Sequence, residues 1–473
     1  MFEIFENVEI IDAGPEGKAV ARAGNLVIFV PFVVPGDVVD IKITHKKRSY
    51  LEGKAIKFHK YSDKREPAFC EHFGTCGGCR WQNMKYEEQL VYKEKHVRDN
   101  IARIAKIENA VILPILGSEN TRYYRNKLEY TFSSRRWLTE DDMNSNDPDR
   151  DMNALGFHLP MLFDKILDIN HCYLQQDPSD AIRLEAKKYA LKNHLSFYDV
   201  RTWEGFLRNL VIRNSPAGDL MVILIVRTEE INVIKRMLDH LLEKFPVINS
   251  CYYVINPKKN DTFSELPFHL YSGQPYLTET FKDYGTGKEI SMRIGPASFF
   301  QTNSVQGREL YKIAADFAGF SGKETVYDLY TGIGSIANYI AEAVRYVVGI
   351  ESSEAAVRDA KENSELNDIH NTMFFPGEAE KVLTPEFVSN NGIPDIVITD
   401  PPRSGMHEKV VKALLAIRPY RIVYISCNPA TQARDLFLLK EQYELVKCQP
   451  VDMFPHTQHV ENVALLNKLG EAG

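Results

Sequence analysis

The chain has 473 residues, 44% of them hydrophobic and 26% charged, with a formal net charge of −7. This is the composition of an ordinary soluble protein with room for about two to four domains, and no run is long and apolar enough to span a membrane. The acidic balance excludes a uniformly basic nucleic-acid binder, so contacts with phosphate must come from local patches, and an odd count of seven cysteines speaks against a disulfide framework.

The N-terminal MFEIFENVEI has neither a basic region nor an apolar core, so a cytoplasmic location is expected. Residues 1 to about 60 read as short strands, Val8–Asp12, Leu26–Val30 and Val38–Ile43, separated by Gly/Pro turns such as Pro35-Gly36-Asp37. Strands this closely spaced suggest a small barrel. Its last part is basic: Lys42, Lys46, Lys47, Arg48, Lys54, Lys57, Lys60, Lys64 and Arg65 stand against only Glu52 and Asp63. On an acidic protein this excess suits a phosphate backbone, and it equally suits a solvated face.

Cys70, Cys76, Gly77, Gly78 and Cys79 follow in a C-x5-C-x2-C pattern. A Gly-rich loop lets the backbone fold tightly enough for three thiolates to share one metal centre, and Cys172 is the candidate fourth ligand. All-cysteine ligation fits zinc or an iron–sulfur cluster; the absence of paired C-x2-C knuckles favours a [4Fe–4S] cluster. Residues 84–107 show apolar positions at helical spacing (Leu90, Val97, Ile101, Ile104) and predict one long amphipathic helix. Strands dominate from Ala110 to about Gly285, clearest at Val111–Leu113, Lys127–Phe132, Leu220–Val226 and Cys251–Ile255, with a helix over Asn232–Lys244. Tyr123-Tyr124-Arg125-Asn126-Lys127 mixes aromatic and cationic groups as single-stranded nucleic-acid surfaces do. Asp141–Asp151 reads as an acidic, mobile loop.

From Ser291 strands alternate with helices, which predicts a doubly wound, mostly parallel sheet. Its strands are Thr325–Tyr330, Tyr346–Glu351, Asp395–Thr399 and Arg421–Ile425. The first runs into Tyr330-Thr331-Gly332-Ile333-Gly334-Ser335, a turn where backbone can approach a ligand closely. The second ends in Glu351, about 20 residues further on, where an acid can hold two ribose hydroxyls. Glu378 stands where an acid can reach an adenine edge. Neither G-x-G-x-x-G nor a P-loop is present, which favours S-adenosylmethionine over a dinucleotide. Asp400-Pro401-Pro402-Arg403 ends the third strand, and Ser426-Cys427-Asn428-Pro429 ends the fourth. Cys427 is placed where such sheets put their chemistry and is read as a nucleophile, with Glu461 as a base; a buried small hydrophobe is the plain alternative.

Phe299-Phe300-Gln301-Thr302-Asn303, Asp328 to Gly334, Asp400 to Arg403, Ser426 to Thr431 and Asp452 to Glu461 together resemble the RNA uracil-5 methyltransferase family. The cysteines and the N-terminal barrel resemble the branch that acts on 23S ribosomal RNA. The resemblance implies a multidomain α+β protein: an OB-like TRAM barrel over 1–62, a cluster loop and long helix over 63–107, a central β-rich domain over 108–285, and a Rossmann-like methyltransferase domain over 286–473. It implies a [4Fe–4S] cluster on Cys70, Cys76, Cys79 and Cys172. Gln301, Tyr330, Ser335, Glu351, Glu378 and Asp400 would hold S-adenosylmethionine, Phe299 would lie beside the target uracil, Cys427 would be the nucleophile and Glu461 the base. The family commonly has Asn where this chain has Ser335, and Cys at Thr331. The implied partner is 23S ribosomal RNA; no membrane and no obligate protein partner are expected, and a monomer is the default expectation.

The chemistry explains the residue types. Carbon 5 of uracil is a weak nucleophile until a thiolate adds at carbon 6, and the carbon-5 hydrogen must then leave as a proton before the thiolate can be expelled. One cysteine and one separate base are needed. Asp400 could also hydrogen-bond the uracil. The target base has to be unpaired or flipped out. Cytosine-5 RNA enzymes usually carry a second cysteine where Pro402 stands, and amino-group enzymes an aromatic where Arg403 stands. Transfer RNA as substrate, and a non-catalytic RNA-binding iron–sulfur protein, are the remaining alternatives.

Overall fold

The computed structural model describes residues 3–145 and 150–470. Its first unit is a closed barrel in the order Ile4–Ala13, Ala19–Ala23, Leu26–Val30, Tyr50–Lys60, Val38–Lys46. Inward residues of alternating strands fill it: Ile10, Ala21, Ile28, Val30, Val39, Ile41 and Leu51. The stretch read only as basic is itself a strand, Tyr50–Lys60, whose register against Val38–Lys46 is broken by bulges that hide the alternation. Part of its charge is used internally: Arg65 grips Asp37 at 2.6 Å and Lys64 reaches Glu88 at 2.9 Å. Glu52 is taken by Lys18 at 2.9 Å.

The helix expected over 84–107 is Tyr86–Asn100, continued by a wider π turn at Ile101–Ala105. Val97, Ile101 and Ala105 pack among Leu436, Leu439, Tyr443 and Cys448 of the C-terminal unit. The acidic stretch Asp141–Asp151 carries the short helix Glu140–Asn144 at its start, and its residues 146–149 lie outside the described residues.

The central sheet has the order Phe268–Gly273, Ser250–Ile255, Leu220–Val226, Leu207–Asn214, Lys127–Ser133, Ala154–Leu159, Leu162–Asp168. One face carries Val222 and Leu224 against the helices Ser179–Lys192 and Ile231–Lys244. The other carries Met221, Ile223 and Ile225 into a core shared with the C-terminal sheet. Burial on both faces explains why Leu220–Val226 is apolar throughout rather than alternating. Helix Ser179–Lys192 is absent from the sequence reading because its inner stripe is mostly small, Ile182, Ala186 and Ala190.

The C-terminal sheet has the order Thr372–Pro376, Tyr346–Glu351, Thr325–Leu329, Ile396–Thr399, Arg421–Ser426, Glu461–Lys468, Tyr443–Val451, Val111–Ile112. The first five strands are parallel, and Glu461–Lys468 runs antiparallel to both neighbours. Val111–Ile112, expected in the central unit, is the edge strand of this sheet and pairs with Lys447 and Cys448. Two residues are too short to show periodicity, and only the long-range pairing assigns them. The hairpin Leu277–Lys282 with Glu289–Ile294 spans the boundary drawn at residue 285. No helix among the described residues is long and apolar enough to cross a membrane.

Candidate active site

Every site residue read from the C-terminal sequence faces one cavity of about 1440 Å³: Gln301, Tyr330, Ser335, Glu351, Glu378, Asp400, Cys427 and Glu461. The parallel strands deliver most of them at their carboxyl ends. After Thr325–Leu329 the chain turns sharply, with Tyr330, Gly332 and Gly334 all at positive φ (65°, 57° and 77°). A Cβ on Gly334 would stand 2.8 Å from Asn338 Nδ2 and 3.1 Å from Phe374 Cζ, whereas one on Gly332 would meet nothing within 4 Å. Gly334 thus lets the turn pack down, and Gly332 opens onto the cavity. Glu351 braces the turn from the neighbouring strand: its carboxylate accepts from Gly332 N at 3.1 Å, from Ser353 N at 2.8 Å and from Ser352 Oγ at 3.0 Å. Glu378 is half-exposed at the rim and is paired with Lys381.

The floor is acidic. Asp328 accepts from Thr331 Oγ1 at 2.5 Å, and burial raises its pKa to about 7. Asp400 is raised to about 7 by burial and by the charge of Asp328. Gln301 reaches Asp400 at 3.5 Å. Burial raises Glu461 to about 8, Asp400 adds to the rise, and the Arg403 guanidinium opposes it. Buried carboxyls that suppress each other's ionisation leave the site short of a cation.

Cys427 and Glu461 meet through strand register. Ser426 lies directly opposite Asn462 in the antiparallel pair, so the next positions along are Cys427 and Glu461. Local bonds fix this corner. Asn428 caps the helix Pro429–Leu439 by accepting from Ala430 N at 3.1 Å, and its Nδ2 donates to the Arg403 carbonyl at 3.1 Å. Thr431 Oγ1 donates to the same carbonyl at 3.2 Å, tying the Asp400–Arg403 turn to the cysteine turn. Behind them Asn462 Nδ2 donates to Gln432 Oε1 at 2.7 Å. Burial pushes the Cys427 thiol up to about 11; Glu461 and Asp400 add to the rise and Arg403 opposes it.

The same cavity holds groups to which the sequence reading gave no role, Asp328, Arg403, Tyr311 and His459, together with Arg125 from the aromatic and cationic cluster. Burial and Arg403 lower His459 to about 4, so its imidazole is neutral. Asp328, Arg403 and His459 lie inside motifs already noticed, and what distinguishes them is that the fold brings them to one cavity, Asp328 buried and Arg403 exposed. The Tyr123–Lys127 cluster is split: Tyr123 is exposed, Arg125 lines the cavity, and Tyr124 and Asn126 are buried. Tyr124 is buried and donates to Pro455 O at 3.1 Å, and Asn126 Nδ2 donates to Gln301 O at 2.8 Å. Phe299 is 69% exposed, at the mouth.

A second cavity, of about 580 Å³, is lined by Cys70, Cys76, Cys79 and Cys172 together, with Arg125 and Thr302 shared with the first. All four thiols are free. Burial raises Cys79 to about 11 and Cys172 to about 12, and neighbouring thiols add to both shifts. Among the described residues no three of His, Cys, Asp or Glu sit close enough together to hold a metal ion.

Residues 269–469 match the family model described as tRNA (Uracil-5-)-methyltransferase, and residues 6–56 match the TRAM domain. A protein of Bacteroides thetaiotaomicron called an uncharacterized RNA methyltransferase is 52% identical, over 95% of this chain and 99% of its own. The chain belongs to the RNA uracil-5 methyltransferase family. This methyltransferase is also 35% identical to an uncharacterized RNA methyltransferase of Chlorobaculum tepidum, over 96% of this chain and 93% of that one. The Pyrococcus abyssi tRNA (uracil-54, C5)-methyltransferase, solved with S-adenosyl-L-homocysteine, superposes with a TM-score of 0.73 at 27% identity, over 97% of this chain and 100% of that one. The enzyme is therefore an S-adenosylmethionine-dependent RNA (uracil-5-)-methyltransferase, and the amino-group, cytosine-5 and binding-only alternatives fall away.

Proposed function

We propose that this enzyme methylates carbon 5 of a specific uridine in 23S ribosomal RNA, with Cys427 as nucleophile and Glu461 as base. The observation that carries the reading is the pair itself, a thiol just past the end of one strand and a carboxyl at the start of its antiparallel neighbour, both lining one acid-lined cavity. Gln301, Tyr330, Ser335, Glu351, Glu378 and Asp400 would hold S-adenosylmethionine. The open space at Gly332, the acid at the end of Tyr346–Glu351 and the cation-poor floor fit a nucleoside that carries a positive sulfonium. Once bound it supplies a methyl group that carbon 5 takes up.

The chain's own groups do the rest. Arg403 is the cation acting on Cys427, and it favours the thiolate that adds at carbon 6. Half-buried Asp400 and buried Gln301 line the approach, and Phe299 offers an exposed ring to a flipped base. Glu461 takes the carbon-5 proton; the carbon–sulfur bond then breaks and Cys427 leaves as thiolate. A carboxyl with its pKa near 8 binds a proton readily once charged, which suits a base.

Four thiols gathered around a cavity, rather than on one point, fit a multi-iron cluster better than a single zinc, whose sulfur ligands would each stand about 2.3 Å from the ion. We therefore assign Cys70, Cys76, Cys79 and Cys172 to a [4Fe–4S] cluster in a structural role. Anaerobic purification should give brown protein with about four irons per chain; stoichiometric zinc without iron would overturn this.

Transfer RNA is the second reading, because the solved neighbour is named for it. Mapping 5-methyluridine in ribosomal and transfer RNA from cells with and without the gene decides between them. Loss of one or two sites in the large-subunit RNA is expected. Loss at tRNA position 54 instead would move the substrate, and persistence of every 5-methyluridine would remove the assignment.

A further inference from the structure

The segment from Asp452 to Val460 joins two strands of the C-terminal sheet and delivers Glu461 to the cavity. It has no regular structure, yet its carbonyls are held from outside one after another. Asn303 Nδ2 donates to Met453 O at 3.1 Å, Lys93 Nζ to Phe454 O at 3.0 Å, Tyr124 OH to Pro455 O at 3.1 Å, and Arg80 N and Trp81 N to His456 O at 2.9 and 3.0 Å. The helix Tyr86–Asn100 adds to the grip through one face. Tyr86, Gln89 and Lys93 lie at i, i+3 and i+7, so they point the same way. Tyr86 OH donates to Asp452 Oδ2 at 2.9 Å, Lys93 Nζ to Asp452 Oδ1 at 2.6 Å, and Gln89 Oε1 accepts from His456 N at 2.8 Å. Gln89 Nε2 also donates to Trp81 O and Met84 O, at 3.0 and 2.8 Å. The Lys93 and Asp452 side chains are both 0% exposed. His456 is held at φ 64°, a conformation a non-glycine residue rarely adopts without such restraint.

A fully buried ion pair is a poor way to gain stability, since apolar side chains of the same volume do as well or better. What it does provide is one fixed geometry. We propose that Tyr86, Gln89 and Lys93, acting through Asp452 and His456, are positioning residues that hold Glu461 in line with the carbon-5 proton of the uridine. This rests on Glu461 being the base. It gives the helix after the cysteine loop a role in the chemical step, although it lies outside the methyltransferase sheet.

The test separates proton removal from the steps before it. Carbon 5 of 5-fluorouridine has no hydrogen to give up, so thiol addition and methyl transfer stop at a stable protein–RNA adduct without needing the base. The probes are total RNA from a strain lacking the gene, grown with or without 5-fluorouracil. The double variant Lys93→Met/Asp452→Asn removes both charges together. It should form the adduct on fluorinated RNA at the wild-type rate within about twofold, while turnover on ordinary RNA falls at least about tenfold and unfluorinated adduct accumulates. A proportional fall in both reactions, or no fall in either, would overturn the proposal. If the double variant does not fold, Gln89→Leu is read by the same two rates. Glu461→Gln is run alongside: if it too fails to accumulate adduct, the base assignment is wrong, and if it alone accumulates adduct, only the positioning role is lost.

Discussion

Cys427→Ala should abolish methyl transfer to RNA, by at least about three orders of magnitude, while RNA and S-adenosylmethionine bind as before. No other thiol stands in for it. Cys448 and Cys251 are fully buried in strands, and the remaining cysteines line the other cavity. Binding should survive because the side-chain bonds that fix this corner come from Asn428, Thr431 and Gln432. The thiol also needs help to ionise. With its pKa pushed up to about 11, little thiolate is present at neutral pH in the free protein. If S-adenosylmethionine is held at Asp400 as proposed, its sulfonium would add positive charge there, and thiolate would form mainly in the ternary complex. The rate of adduct formation should accordingly rise with pH across the neutral range. Filter binding together with transfer of labelled methyl groups checks both halves, and turnover above a trace would remove Cys427 from the nucleophile's role.

The active-site cavity was legible because its residues sit where strands stop. Asp400-Pro401-Pro402 and Ser426-Cys427-Asn428-Pro429 break apolar runs with residues that cannot continue a strand, and the breaks mark the carboxyl ends, where sheets of this kind bind ligands. The barrel was legible in part, since Leu26–Val30 is an unbroken run of apolar, mostly β-favouring residues and Tyr50–Lys60, bulged and lysine-rich, is not. What the sequence hides is long-range. Lys93 and Asp452 lie 359 positions apart, and each alone looks like a surface charge. Val111–Ile112 acquires its sheet only from Lys447 and Cys448. The double burial of the central sheet shows as hydrophobicity in Leu220–Val226 but does not say what covers the second face. The acids of the floor were each visible, yet their shared burial, which makes the site receptive to a cation, is a property of the fold.

Glu461→Gln should leave the first half of the reaction intact and stall the second. The amide preserves shape and can still hydrogen-bond, but it cannot accept the carbon-5 proton, so the methylated ring remains bonded to Cys427. Under turnover conditions a denaturing gel should show a covalent protein–RNA band that wild-type enzyme shows only faintly, and turnover should fall by roughly two to four orders of magnitude, the usual contribution of a positioned base. Absence of the band would exclude Glu461 as proton acceptor. An independent control needs no RNA. Because the folded-state pKa is raised from 4.5 to about 8, the folded protein binds the Glu461 proton more readily than the unfolded chain does. Between those values its contribution to stability falls as pH rises. The amide of the variant does not titrate and carries no such liability, so the variant's melting temperature relative to wild type should climb from about pH 5 to about pH 8. A difference that does not change with pH would mean that the carboxyl is not held in the buried, acid-crowded setting from which its role as base is argued.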